Sequence, residues 1–160
     1  MADESMVPTL DAQARAIWPQ EVPLFRRDAL PAKTTRVEAH LRKRPSGLPL
    51  TWLHELEFIN GLQFKVLRGE GSKAAVAATL AAVRADLEAG AFFRAQMEWT
   101  AVFDGALRLS TTYSDALGTR TLDLLHVAAA CLLGAKEFMT SDQRQAILAR
   151  RQGLKAVLII

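Results

Sequence analysis

The chain holds a single cysteine, Cys131, so no disulfide can form within it, and no Cys/His cluster has the spacing of a zinc site. It also lacks a Gly-rich phosphate loop and a nucleophile elbow. Those two absences remove P-loop nucleotide hydrolysis and serine-hydrolase chemistry for want of the residues they need. No apolar run is long enough to span a bilayer, and the early Asp3 and Glu4 are not followed by an apolar core with a cleavage site. The expectation is a soluble protein of the reducing cytoplasm with no membrane partner. Internal repeats and low-complexity tracts are absent as well.

What remains is globular in composition. Of the 160 residues, 50% are hydrophobic and 23% charged, enough to bury a core without staples. The net charge is only +3. The isoelectric point near 9.4 and the grouping of Lys33, Arg36, His40, Arg42, Lys43 and Arg44 nevertheless bias the surface toward polyanions. A solvated basic face is the plainer reading of such a run.

Residues 1–47 stand apart, interrupted by Pro8, Pro19, Pro23, Pro31 and Pro45, with little periodicity. Val22–Phe25 is the one strand candidate there, demoted by its proline, and Lys33–Lys43 could form a short basic helix. Residues 48–160 read as one domain. A short strand, Leu48 to Leu50, leads through Thr51 as N-cap into a helix carrying Leu53, Leu56, Glu57, Asn60 and Phe64. A second helix begins near Ser72, with Val76, Leu80, Val83 and Leu87 on one face, and stops at Gly90. A third spans about Thr100 to Leu117 and ends at Gly118. Then come a helix over 121–133, a strand over Lys136–Thr140, a helix capped by Ser141 or Asp142, and a terminal strand from Ala156. Alternation of this kind argues an α/β protein with a parallel sheet, whose ligands sit beyond the carboxyl ends of the strands.

Three acids invite a chemical reading. Asp123 and His126 lie three apart in an otherwise apolar helix, where a carboxylate is costly to bury unless it is bonded. Cys131, in the same helix, reads as a small buried hydrophobe with no catalytic role. Asp142 follows an apolar strand, and Glu57 shares a helix face with Asn60. Each alone has a plainer explanation: Asp123 as a first-turn acid, Asp142 as an N-cap, Glu57 as an exposed helix carboxylate. Together, converging at one sheet edge, they would make an oxygen-donor site suited to Mg²⁺ or Mn²⁺ rather than zinc.

The blocks Leu48-Pro49-Leu50-Thr51 to Asn60-Gly61-Leu62, Arg120 to Ala129, Phe138 to Gln145 and Gly153 to Val157 resemble a PIN-domain ribonuclease of the VapC-like toxin kind. The resemblance implies a three-layer α/β/α domain that hydrolyses RNA phosphodiester bonds with Mg²⁺ or Mn²⁺. It also implies a toxin–antitoxin setting, with an antitoxin protein and a homodimer as expected partners. By motif it assigns metal binding and catalysis to Glu57, Asp123 and Asp142, with Glu55 a weaker substitute for Glu57 because it lacks an Asn three residues on. It further suggests that Arg120, Arg144 and the Lys33 to Arg44 cluster steer RNA, and that Thr140 or Ser141 positions a water near Asp142. Arg120 as a plain salt-bridge partner is an equal reading. One feature of the family is not found: an apolar first strand ending in an Asp-Thr/Ser-Ser motif. Neither Asp3 nor Asp28 supplies it, so the first strand reads as missing or irregular. The alternative that follows is a catalytically degenerate PIN-like domain acting as a binding module.

Overall fold

Five short strands and five helices make up the described part of this computed structural model, which covers residues 47–159 and the backbone of Ile17–Pro19. In chain order the strands are β1 (Ile17–Pro19), β2 (Leu48–Leu50), β3 (Phe92–Arg94), β4 (Glu137–Thr140) and β5 (Lys155–Leu158). The helices are α1 (Trp52–Leu67), α2 (Lys73–Glu88), α3 (Trp99–Leu117), α4 (Thr121–Leu132) and α5 (Gln143–Arg151). The strand expected at Val22–Phe25, the basic helix expected at Lys33–Lys43, and Asp3 and Asp28 lie outside the described residues. The chain is mixed α/β, with all of its strand pairs parallel among the described residues. It divides into two compact units: Met1–Gln20 with Met97–Ile160, and Glu21–Gln96.

In the Glu21–Gln96 unit, β2 and β3 pair in parallel with Leu48 opposite Phe92 and Leu50 opposite Arg94. Parallel neighbours need a crossover, and α1 and α2 supply it. Thr51 starts α1: its hydroxyl accepts from the His54 amide, and its own amide donates to His54 Nδ1 at 3.3 Å, so two helix-end donors are satisfied locally. Leu48, Leu50, Leu62, Val76 and Phe92 form the core of this unit. The helix face differs from the expected one: His54 and Leu62 are buried, whereas Leu56 and Phe64 are 65% and 47% exposed. Gly47 packs so tightly that a Cβ there would lie 2.3 Å from the Gly90 carbonyl oxygen.

In the other unit the sheet order is β1-β4-β5, so β4 is central. Ile17 pairs with Glu137 and Pro19 with Met139, and Thr140 pairs with Leu158. A strand before Leu48 therefore exists, short and ending in proline, which is the irregular form of the two outcomes expected, missing or irregular. Three residues ending in proline give no alternation to read, and a proline that cannot donate is tolerated where it sits, on an edge of the described sheet. β3 escaped the sequence reading too, because three residues directly after a Gly-containing turn carry no period.

Phe138 and Met139 on β4 are almost fully buried, as are Val127 on α4, Val102 on α3 and Leu148 on α5. Each such side chain contributes about 1.5–3 kcal/mol by leaving water. α3 and α4 approach closely where Gly105 faces Ala128: a Cβ on Gly105 would sit 3.2 Å from the Ala128 methyl. Gly118 ends α3 in the left-handed region, with φ 62°, where glycine meets no Cβ penalty. Cys131 is exposed rather than enclosed in the core, because it falls on the outer side of α4, although neighbouring atoms still shield its thiol in part. No helix among the described residues is long and apolar enough to cross a membrane.

Candidate functional site

Three element ends meet in the unit that holds Met97–Ile160: the N-terminus of α4, the carboxyl end of β4 and the N-terminus of α5. Asp123 occupies the first turn of α4, and its Oδ2 accepts the Arg120 amide at 2.9 Å. Asp142 caps α5, its Oδ1 accepting the amides of Arg144 at 2.8 Å and Gln145 at 3.2 Å. The plainer readings of both acids are thus realised, since each closes a helix start whose free amides and dipole favour a carboxylate. Asp123 is 2% exposed and its neighbour His126 1%.

The two carboxylates also share a cation. Arg120 reaches Asp123 Oδ2 through Nε at 3.2 Å and Asp142 Oδ2 through Nη2 at 3.4 Å. Arg144 approaches Asp142 Oδ2 at 3.5 Å and donates from Nη1 to the Gly118 carbonyl at 3.1 Å. Burial works to raise the pKa of Asp142, but the Gln145 and Arg144 amides and the Arg144 charge outweigh it and hold the carboxyl below its usual range. It is an anion at neutral pH.

Gln145, fully buried, ties the cluster together. Its Oε1 accepts from the Thr140 hydroxyl at 2.6 Å, and its Nε2 donates to the Asp123 carbonyl at 3.4 Å. The Thr140 hydroxyl in turn accepts the Asp142 amide at 3.0 Å. Thr140 is 1% exposed and bonded in both directions, so it fixes the strand end. Sequence reasoning missed Gln145. A glutamine in the first turn of a helix reads as a solvated side chain, and nothing local marks it as the link between two elements.

Glu57 belongs to the other unit, half-buried on α1, with Asn60 exposed on the same helix. Glu55 is committed to Arg94, which forks onto it at 2.7 and 3.2 Å and stacks 5.6 Å from the Trp52 ring centre. The structure therefore brings Asp123 and Asp142 together, and it ties Glu55 to a different partner. The Lys33 to Arg44 cluster lies outside the described residues. Among the described residues, no group of three or more His, Cys, Asp or Glu is arranged to hold a metal ion.

The donor set suits a hard cation. Both acids present oxygens, and no thiolate joins them. The Arg120 guanidinium lies between the two carboxylates as their shared positive charge. Two carboxylates are fewer than such an ion requires, so the described residues by themselves do not make up an ion site. No family model, curated protein or solved structure matches the chain.

Proposed function

We propose that this chain is a PIN-like, metal-dependent endoribonuclease with a three-layer α/β/α architecture, acting in the cytoplasm as the toxin of a toxin–antitoxin pair. The observation that carries the reading is the meeting of Asp123 and Asp142 at the carboxyl end of the central strand, bridged by a cation. Open parallel sheets use that edge for chemistry. In this reading Asp123 and Asp142 would hold Mg²⁺ or Mn²⁺. Such an ion activates water and offsets charge on a phosphodiester. The chain's own groups orient and neutralise: Gln145 and Thr140 fix the strand end that bears Asp142, and Arg144 offers charge to the RNA backbone. Antitoxin and second-protomer contacts have apolar surface to use, with Trp52, Leu56 and Leu67 exposed on α1 and Phe103 and Leu107 on α3.

A second reading, a degenerate domain that binds without cutting, is favoured by one observation. Both carboxylates are engaged by Arg120 and both cap helices. Labelled RNA incubated with Mg²⁺ or Mn²⁺, then with EDTA, separates the two. Asn keeps the N-capping oxygen while removing the charge, so Asp123→Asn and Asp142→Asn preserve the helix starts. Cleavage abolished by EDTA and by either substitution supports the nuclease. Cleavage unchanged in Asp123→Asn rejects this site, and RNA binding without metal-dependent cutting supports the degenerate domain.

A further inference from the structure

We infer that the outward face of α1 is the seam of a two-fold dimer of this chain, in which two copies of the helix pack antiparallel through Trp52, Leu56, Ile59 and Leu67. The inference concerns a surface of the Glu21–Gln96 unit and stands whether or not the chain cuts RNA. Of the side chains on α1, only His54 and Leu62 are buried. The exposed side is the more apolar one, with Trp52 63%, Leu56 65%, Ile59 41%, Phe64 47% and Leu67 77% in water. At about 100° per residue these five fall within an arc of roughly 140° and about 24 Å long, in which no charged side chain lies.

Area and charge select the occupant. Side chains of this size offer about 150–250 Å² each when bare, so the five leave roughly 500–600 Å² of apolar surface, the most that a lone protein usually leaves in one patch. With Asn60 and Gln63 exposed between them, each copy approaches the roughly 800 Å² that a stable pair buries per partner. The chain carries a net charge of +3, so two copies repel except through an uncharged surface, and this face is one. A partner of opposite charge finds no handle on it. The midpoint of Trp52–Leu67 falls between Ile59 and Asn60, where a two-fold axis sets the amides of Asn60 and Gln63 against those of the other copy. An amide both donates and accepts, so such a meeting satisfies itself. At each end Trp52 of one copy then covers Leu67 of the other. Trp52 is already held for this: the Arg94 guanidinium stacks 5.6 Å from its ring centre, and Glu55 forks that guanidinium at 2.7 and 3.2 Å. An exposed indole fixed in advance loses little freedom on docking.

Sedimentation of the full chain across about 1–100 μM tests the seam, and wild type is expected to pass from 17.6 kDa to twice that mass. Leu56→Glu and Ile59→Glu each set like charges across the seam from an exposed position. Either is expected to weaken the dimer at least about thirtyfold, and Leu56→Ala less. Phe103→Glu, on the exposed side of α3, leaves the dimer unchanged. In a Cys131→Ser background, a short bis-maleimide joins Ile59→Cys to its copy but does not join Arg84→Cys on α2. A wild type monomeric throughout the range, or a dimer that survives both glutamates, overturns the inference. A dimer broken by Phe103→Glu alone moves the seam to α3 and overturns it too. A monomer that Leu56→Glu strongly destabilises in thermal unfolding has the face covered by the chain's own residues, which also overturns it. None of these readouts involves RNA, so a chain that dimerises without cleaving fails the nuclease reading only.

Discussion

Replacing Gln145 with leucine isolates the buried link that sets Asp142 against Asp123. Leucine fills a similar volume, so the core around it stays packed. The loss is polar: the Thr140 hydroxyl, 1% exposed and bonded to Gln145 Oε1 at 2.6 Å, is left without that acceptor. Stranding a buried donor costs about 1–3 kcal/mol. The second bond, from Nε2 to the Asp123 carbonyl at 3.4 Å, is long and adds little. The expected destabilisation is therefore about 1–3 kcal/mol, read as a lower denaturant midpoint at unchanged slope. Thr140→Val loses the same bond and also the acceptor for the Asp142 amide at 3.0 Å, so it costs a similar amount. Because the two residues share one bond, the double variant is less destabilised than the sum, by about 1 kcal/mol of coupling. Additive effects within about 0.3 kcal/mol, or a Gln145→Leu protein as stable as wild type, would refute the reasoning.

Other consequences follow from packing and from thiol chemistry. Gly47→Ala places a Cβ 2.3 Å from the Gly90 carbonyl oxygen, a backbone atom that cannot swing aside, so the β2–β3 pair loosens. The expected cost is about 1–3 kcal/mol, seen as faster amide exchange at Leu48 and Ala95, and unchanged exchange there contradicts the contact. Gly105→Leu forces α3 from α4 at Ala128 and lowers stability by about 1–3 kcal/mol, whereas a neutral effect in thermal unfolding would show that the helices part freely. Partial burial pushes the Cys131 thiol above its ordinary pKa. The thiolate is the reactive form, so its rate with a disulfide reagent keeps climbing with pH beyond about 8.5, where an ordinary thiol begins to level off. A plateau at the ordinary value would contradict the burial.

From Leu48 onward most elements were legible, because each has a cap, a period and a stop. Thr51, Ser72 and Asp142 act as the N-caps their positions suggest, and Gly118 ends α3. β1 and β3 were not legible: three residues each are too few for a period, and they exist through parallel pairing with strands distant in the chain. The face of α1 was misread for a related reason, since the buried His54 is polar in type and the exposed Leu56 apolar. In the site, Asp123 and Asp142 stand out as acids beside apolar segments. Arg120 is a salt-bridge partner, one of its two readings, although the sequence does not name its partners, whereas Gln145 reads as a solvated amide and only the tertiary packing of α4, β4 and α5 gives it its role.

The central claim is that Asp123 and Asp142 serve one metal centre. Mn²⁺ added to the isotopically labelled chain broadens the amide resonances nearest the bound ion, and its position can be read residue by residue. The account predicts that the amides of Asp123, Asp142 and Gln145 broaden together at substoichiometric Mn²⁺ and recover with EDTA. Broadening spread over scattered surface carboxylates, or absent from Asp123 and Asp142, would contradict it.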